Sequence, residues 1–480
     1  MTEATEVEDL VLALSLIESA ALEEDAEAIA IKTPPQAHRP PLRFAGASPG
    51  LRAALRALGE GGATLETLTA AMLQHDGPAG FPGLYGTIAQ LDRCAMLTRT
   101  AAGTGPGAPI ARVEPVSLYY RHAAARIEPS APWVLSRFAS MRRVGDRLLV
   151  ESPLGHARVW LYSSEAAMAL GVLAAPRTSE EVAQAVTGLD EPAARGLMTL
   201  LADAGALIAS PAGEARAEDV DPTVAPWEFH DLLFHTRSRL GRHSNGFGGT
   251  YRFKERFEGP PLFKAPMSED VVELPKPDLE RLAREDRPFS AVLESRRSLR
   301  DHADAPITLA QLGEFLFRSA RVQKSADQAS VSFRPHPGGG AIHELELYPV
   351  VHRCDGLEPG LFHYAAHAHR LERLAAPPRY LDTLLQMAAV TAELKVPPQV
   401  LIVVAARFQR IQWKYESMAY GVILKNVGAL YQTMYLVATA MGLAPCALGG
   451  GHADLFASAA GLDYLAETSV GEFILGSARG

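Results

Sequence analysis

Two blocks of this 480-residue chain combine residue types that could do chemistry. Residues 295–300 read Ser-Arg-Arg-Ser-Leu-Arg, offering fixed positive charge and hydroxyls suited to a phosphate and to an electron-rich ring edge. Residues 445–451 read Pro-Cys-Ala-Leu-Gly-Gly-Gly, where the near absence of side chains lets a flat ring approach main-chain N–H groups. Together they point to a flavin mononucleotide (FMN) site and to redox chemistry. Taken alone, the first block would equally suit a basic helix end that complements its own dipole. Two further blocks stand out: Pro337-Gly338-Gly339-Gly340-Ala341, a turn before an expected strand, and Trp413-Lys414-Tyr415, just ahead of a long apolar stretch.

The elements that must position these residues fall into several parts. The length implies two or three domains. With 48% hydrophobic and 21% charged residues the chain can bury sizeable cores, and a net charge of -9 argues against general nucleic-acid binding. Three dispersed cysteines, Cys94, Cys354 and Cys446, form neither a zinc cluster nor a disulfide framework and suit a reducing cytosol. The acidic start at residues 1–6 is unlike a secretory signal. Residues 427–451 carry no charge and could span a bilayer by length, but Pro445, the glycines, Gln432, Thr433 and Thr439 favour a helix buried in a core or a dimer interface.

The first half contains a weak internal repeat: a strand pair, a helix, a helix–turn–helix and a short strand, at 26–98 and again at 147–209. Thr178 and Glu181 form a capping box that starts one of these helices. The order suggests two winged-helix-like modules, residues 1–112 and 113–213. Their second helices are poor in basic residues, so a wing that binds peptide or protein by strand addition is favoured over DNA binding. A repeat that only carries the dimer is the simpler alternative. Residues 214–280 form a Pro- and Gly-rich connector whose stretch 230–251 could be a lid or a surface wrap. From 281 to 480 the pattern is α+β, with helices at 290–297, 308–319, 378–394 and 417–441 and strands at 345–353, 361–364, 400–408 and 471–475. The run Val400-Leu-Ile-Val-Val-Ala-Ala reads as a central strand covered on both faces.

Residues 281–480 resemble the FMN-dependent nitroreductase fold, and within it the azoline oxidases, most closely the cyanobactin thiazoline and oxazoline oxidases with two N-terminal peptide-clamp-like modules. The stretches that carry the resemblance are 295–300, 334–348, 413–415, 424–451 and 469–476. It implies that Arg296 and Ser298, with Arg297 beside them, hold the flavin phosphate, and that Arg300 faces the ring. It implies that Pro337, Gly338, Gly339 and Gly340 reach the flavin of the opposite subunit of a homodimer. Here Gly338 replaces the family's usual serine, so a hydroxyl contact is lost. Leu448, Gly449 and Gly450 would run along the ring, and Arg479 would add to the phosphate site. Lys414 and Tyr415 match a pair implicated as the base for azoline oxidation, in which a ring loses a proton and a hydride. The implied partners are a heterocyclised precursor peptide and a cyclodehydratase, with neither nucleic acid nor membrane. An NAD(P)H-dependent nitro- or quinone-reductase and a non-catalytic peptide-clamp scaffold are the competing readings. His363, His367 and His369 are expected to be solvated around a hairpin turn with no carboxylate to complete a metal site, and Cys446 to be a buried structural thiol.

Overall fold

A computed structural model of the chain describes residues 12–34, 39–103, 108–122, 127–326 and 330–479; the acidic stretch 1–6 lies outside them. The chain forms two compact units, Met1–Gly246 and Phe247–Gly480.

The first unit is built from a repeat. One copy runs β1 (Leu12–Leu16), β2 (Ala21–Glu24), β3 (Ala28–Lys32), β4 (Leu42–Ala45), α1 (Pro49–Glu60), β5 (Ala63–Thr64), α2 (Leu65–Asp76), α3 (Phe81–Arg93) and β6 (Leu97–Ala102). A linking strand, β7 (Pro109–Pro115), follows. The second copy is β8 (Trp133–Leu135), β9 (Ser140–Val144), β10 (Arg147–Glu151), β11 (Ala157–Leu161), α4 (Ser164–Val172), α5 (Ser179–Ala185), α6 (Glu191–Asp203) and β12 (Leu207–Ala209). A bridge between Trp133 and Arg177 stands where β1 pairs with β5 in the first copy. Hydroxyl caps start the first two helices of each copy, Ser48 and Thr64 in one and Ser163 and Thr178 in the other, the last with a complete capping box to Glu181, while Asp190 caps α6 and its counterpart α3 has no side-chain cap. Strand β7 pairs with β6 on one side and β11 on the other, so both copies share one seven-stranded sheet in the order β5-β1-β6-β7-β11-β10-β9. The connector that follows holds only short helices, α7 (Ala217–Val220) and α8 (Phe229–Arg237), as its prolines dictate.

The second unit holds the motifs. Its elements are β13 (Val271–Glu273), α9 (Leu279–Glu285), α10 (Phe289–Ser295), α11 (Leu309–Ala320), β14 (Lys324–Ala326), β15 (Val331–Phe333), β16 (Leu345–Val351), β17 (Gly360–Ala365), β18 (Arg370–Leu374), α12 (Pro378–Thr391), β19 (Val400–Arg407), α13 (Phe408–Gln412), α14 (Ala419–Ala440), β20 (Leu443–Leu448), α15 (Ala453–Ala460) and β21 (Glu467–Ser477). An antiparallel sheet, β13-β18-β17-β16-β19-β21-β20, carries a core on each face. Phe315, Phe473 and α14 lie on one side, and Tyr348, Phe456 and α12 on the other. All eight residues of β19 are buried, as its unbroken apolar run requires. The expected helix 417–441 is α14, and the uncharged stretch beyond it forms a strand that the sequence reading did not place. The helix ends at Ala440, Gly442 takes a positive φ, and Pro445 lies inside strand β20. Among the described residues no helix is long and apolar enough to cross a membrane.

The histidine-rich hairpin corrects the sequence reading. His367 is exposed, but His363 and His369 are buried. His363 lies between two carboxylates, with Nε2 3.2 Å from Glu346 and Nδ1 3.0 Å from Glu372. The sheet brings these carboxylates together from β16 and β18, which no local spacing announces. Among the described residues, no group of three or more His, Cys, Asp and Glu could hold a metal ion. The charges instead fasten a strap, residues 260–267, over the sheet. Arg407 and Arg410 donate to the carbonyls of Pro260, Pro261 and Leu262. Lys264 reaches Tyr348 at 2.7 Å and Glu467 at 2.5 Å, and the Met267 N–H donates to Glu372. Buried cations so well supplied with acceptors are tolerated where isolated ones would not be.

Burial alone would raise Glu346 and Glu372, but their hydrogen bonds to His363 and the nearby arginines carry both down to about 2. Burial lowers His363, yet the two carboxylates outweigh it and raise the imidazole above its ordinary value. The carboxylates therefore add stability that is complete above 4.5 and lost as pH falls toward about 2. His363 adds stability that is complete below 6.5 and lost as pH rises through its raised value. The stabilisation from this cluster should accordingly be greatest between 4.5 and 6.5, so the melting-temperature gap between the protein and His363→Gln should be widest there and narrow on both sides when unfolding is followed against pH.

Candidate functional site

Tyr435, on α14, gathers the first pair of motifs. The chain leaves α10 at Arg296 and runs beside β20, where the Leu299 N–H donates to the Pro445 carbonyl at 2.8 Å. Ser298 Oγ lies 2.8 Å from the Tyr435 hydroxyl, and the Ala447 N–H donates to the same oxygen at 2.8 Å. The Arg296 guanidinium stands 5.2 Å from the Tyr435 ring centroid. Residues 296–299 thus lie beside the strand residues Pro445 and Ala447 that lead into Leu448, Gly449 and Gly450. Gly449 and Gly450 are exposed, with open space where a Cβ would stand, so their backbone is accessible to a flat ligand. Among the described residues, no carboxylate lies within ion-pair reach of Arg296, Arg297 or Arg300. Three cations without counter-ions, beside an exposed hydroxyl and bare backbone, fit a phosphate-bearing aromatic group such as FMN. Arg479 differs. It donates to the His302 carbonyl and pairs with Asp301 at 3.0 Å, which places it next to Arg300 but occupies part of its guanidinium. Cys446 is buried, with its thiol donating to the Ala447 carbonyl, which is the structural role expected of it.

The second pair of motifs meets at the other end of α14. Gly338, Gly339 and Gly340 form a tight turn after Pro337, and Gly340 has φ +63. A Cβ on Gly340 would stand 2.6 Å from the Tyr415 hydroxyl and 2.8 Å from Lys414 Nζ. The bare turn therefore closes directly onto both polar tips. The Gly339 N–H donates to Asn426 at 3.0 Å, and Asn426 donates to the buried Glu344 at 2.8 Å. Burial raises Glu344, and one of its oxygens has no partner. Lys414 and Tyr415 sit half-buried in the turn between α13 and α14. Asn426, Glu344 and Tyr435 were not singled out in the sequence. Their only advance signal was polarity within the apolar helix α14, for Asn426 and Tyr435, and just ahead of the apolar strand β16, for Glu344.

The structure does not bring the two groups together within one chain. From Val422 and Asn426, which touch the glycine turn, to Tyr435 the helix rises roughly 14–20 Å. Exposed Tyr420, Leu424 and Gly428 recur every fourth residue along this helix and leave one apolar stripe open.

Substituting Gly340→Ala should both strain the left-handed turn and push into Lys414 and Tyr415, lowering stability by about 1–3 kcal/mol. Gly428→Ala, where a Cβ would meet nothing, should change far less. Chemical denaturation of both variants checks this.

Residues 133–244 match the family model for the cyanobactin oxidase ThcOx, and residues 293–477 match the nitroreductase family. The chain is 28% identical over 180 residues to MJ1384 of Methanocaldococcus jannaschii, a protein named as a nitroreductase, covering 38% of this chain and 85% of that one. It is 30% identical over 110 residues to the trifolitoxin-processing protein TfxB of Rhizobium leguminosarum bv. trifolii, covering 22% of this chain and 30% of that protein. The solved Escherichia coli microcin synthetase McbBCD complex with truncated pro-MccB17 bound is similar with a TM-score of 0.34 and 20% identity, over 52% of this chain and 92% of the matched one. Nitroreductases typically use FMN. The chain joins a segment of the cyanobactin-oxidase type to a C-terminal oxidoreductase domain of the nitroreductase family.

Proposed function

We propose that this protein is an FMN-dependent azoline oxidase that converts thiazoline or oxazoline rings of a ribosomally made, cyclodehydratase-modified precursor peptide into thiazoles or oxazoles. The observation that carries this reading is the convergence of Lys414 Nζ and Tyr415 OH on the Gly340 turn. A reductase fed by NAD(P)H needs no amine at that place. The likeness to the cyanobactin oxidase model and to a trifolitoxin-processing protein supports a peptide substrate.

In this reading Arg296, Arg297 and Ser298 hold the FMN phosphate, with Arg479 beside them. Arg300 lies toward the ring, and the backbone of Leu448, Gly449 and Gly450 lies along it. FMN, when bound, supplies the hydride acceptor, and dioxygen is the final oxidant. Lys414 takes the ring proton as a general base, and Tyr415 orients the heterocycle or shares that proton. Pro337, Gly338, Gly339 and Gly340 keep side chains away from this place. The separation of the two residue groups along α14 supports a homodimer in which each complete site draws on both chains, with Tyr420, Leu424 and Gly428 in the contact. The repeat unit, residues 1–112 and 113–213, engages the peptide or the cyclodehydratase. The setting is the cytoplasm.

Purified protein should show flavin absorbance. An azoline-bearing peptide should lose about two daltons per ring, the mass of a proton plus a hydride. Lys414→Ala should keep the flavin bands and abolish the mass loss. Colourless protein, or a Lys414→Ala variant that still oxidises the peptide, would overturn the proposal. Rapid bleaching by NAD(P)H without peptide would favour the reductase instead.

A further inference from the structure

The segment just upstream of the strap has a place that neither the family likeness nor the motif set assigns. Residues 248–251 run antiparallel to residues 414–416. The Gly248 N–H donates to the Glu416 carbonyl, the Glu416 N–H donates to Gly248 at 2.9 Å, and the Tyr251 N–H donates to the Lys414 carbonyl at 3.2 Å. The Glu416 carboxylate is in turn held by the Thr250 hydroxyl at 2.9 Å and by Arg252 at 3.3 Å. Tyr251 has φ +52, a left-handed backbone that a bulky residue adopts only when its surroundings impose it. That backbone sends its ring edge-on against Trp413, with centroids 5.4 Å apart at 86°. Trp413 is itself fixed by donating to the Phe257 carbonyl at 3.1 Å. Lys414 Nζ then lies 5.8 Å from the Tyr251 centroid and 5.2 Å from the Tyr415 centroid.

We infer that Tyr251 is a positioning residue for Lys414, one wall of a slot that holds the amine at the Gly340 turn. This rests on the oxidase reading for its catalytic consequence, though not for the slot itself. A free lysine side chain samples many rotamers, and a base that wanders by about 1 Å can lose about 100-fold in rate. Three surfaces restrict this one: the Tyr415 ring, the backbone of Gly340, and the Tyr251 ring. The ring, and not its hydroxyl, provides the wall. The connector therefore contributes to the chemistry by fixing the amine, while its bonds to residues 414–416 hold the segment in place.

Two measurements on the full-length protein test this. The first is the rate at which a small acylating reagent modifies Lys414, read by peptide mass spectrometry without any substrate. Tyr251→Ala should raise that rate severalfold over wild type, and Tyr251→Phe should leave it unchanged. The second is steady-state turnover of an azoline-bearing peptide. Tyr251→Ala should lower kcat about 10–100-fold with KM within about twofold, and Tyr251→Phe should restore kcat to within about threefold. Tyr251→Leu, which fills much of the volume without a ring, guards against simple misfolding and should behave like the alanine variant at an unchanged melting temperature. Equal acylation rates in wild type and Tyr251→Ala, or a loss confined to KM, would overturn the inference. Wild-type turnover in Lys414→Ala would instead sink the oxidase reading, and the acylation measurement would still decide the slot.

Discussion

Helix α14 fixes the spacing between the groups suited to holding a phosphate and those suited to moving a proton. Val422 and Asn426 at one end lie against the glycine turn, while Tyr435 near the other ties Ser298 to Ala447. A helix cannot shorten without losing its hydrogen bonds, so this separation is rigid. Buried residues along its inner face, among them Ile423, Leu430 and Met434, share one core with Phe473 of the sheet and Phe315 of α11. Within one chain the two ends are therefore held roughly 14–20 Å apart.

The proline-rich strap illustrates how buried charge can serve position and not simply strength. Proline carbonyls accept hydrogen bonds but bring no N–H of their own, so a segment rich in them cannot join a sheet as an ordinary strand. Arg407 and Arg410 supply the missing donors from the end of β19 and from α13, and Lys264 and Met267 return the exchange toward Glu467 and Glu372. Replacing such a lattice by apolar side chains would cost the geometry even where it spared the stability.

Much of the second unit was legible in the sequence because its elements follow simple periods. The strand 400–408 and the helices 308–319 and 378–394 appear within a few residues of their expected bounds. Ser298 and Arg296 meet the strand that precedes the glycine run because one helix side chain, Tyr435, touches them and Ala447. What failed was reading a histidine by its local company. His363 sits near a hairpin turn in sequence, but sheet pairing sets it between carboxylates nine and seventeen residues away. Strand β20 was not placed, although the helix before it was given its right end, because a six-residue apolar run has no period that tells a strand from a loop. The stretch 230–251 stood out as a lid or surface wrap, but the place of Tyr251 within it could not be read, since it depends on a left-handed turn and on a partner more than a hundred residues distant.

The linking strand β7 has a consequence for how the repeat can be handled or inherited. Because it is zipped to β6 along one edge and β11 along the other, neither copy ends where its own helices end. Separating the copies would bare one edge of β7, either the five residues that pair with β11 or the four that pair with β6, a template for promiscuous self-association. The duplicated half is accordingly a fused pair with a common backbone seam, and a domain swap or fusion would have to carry both copies across intact.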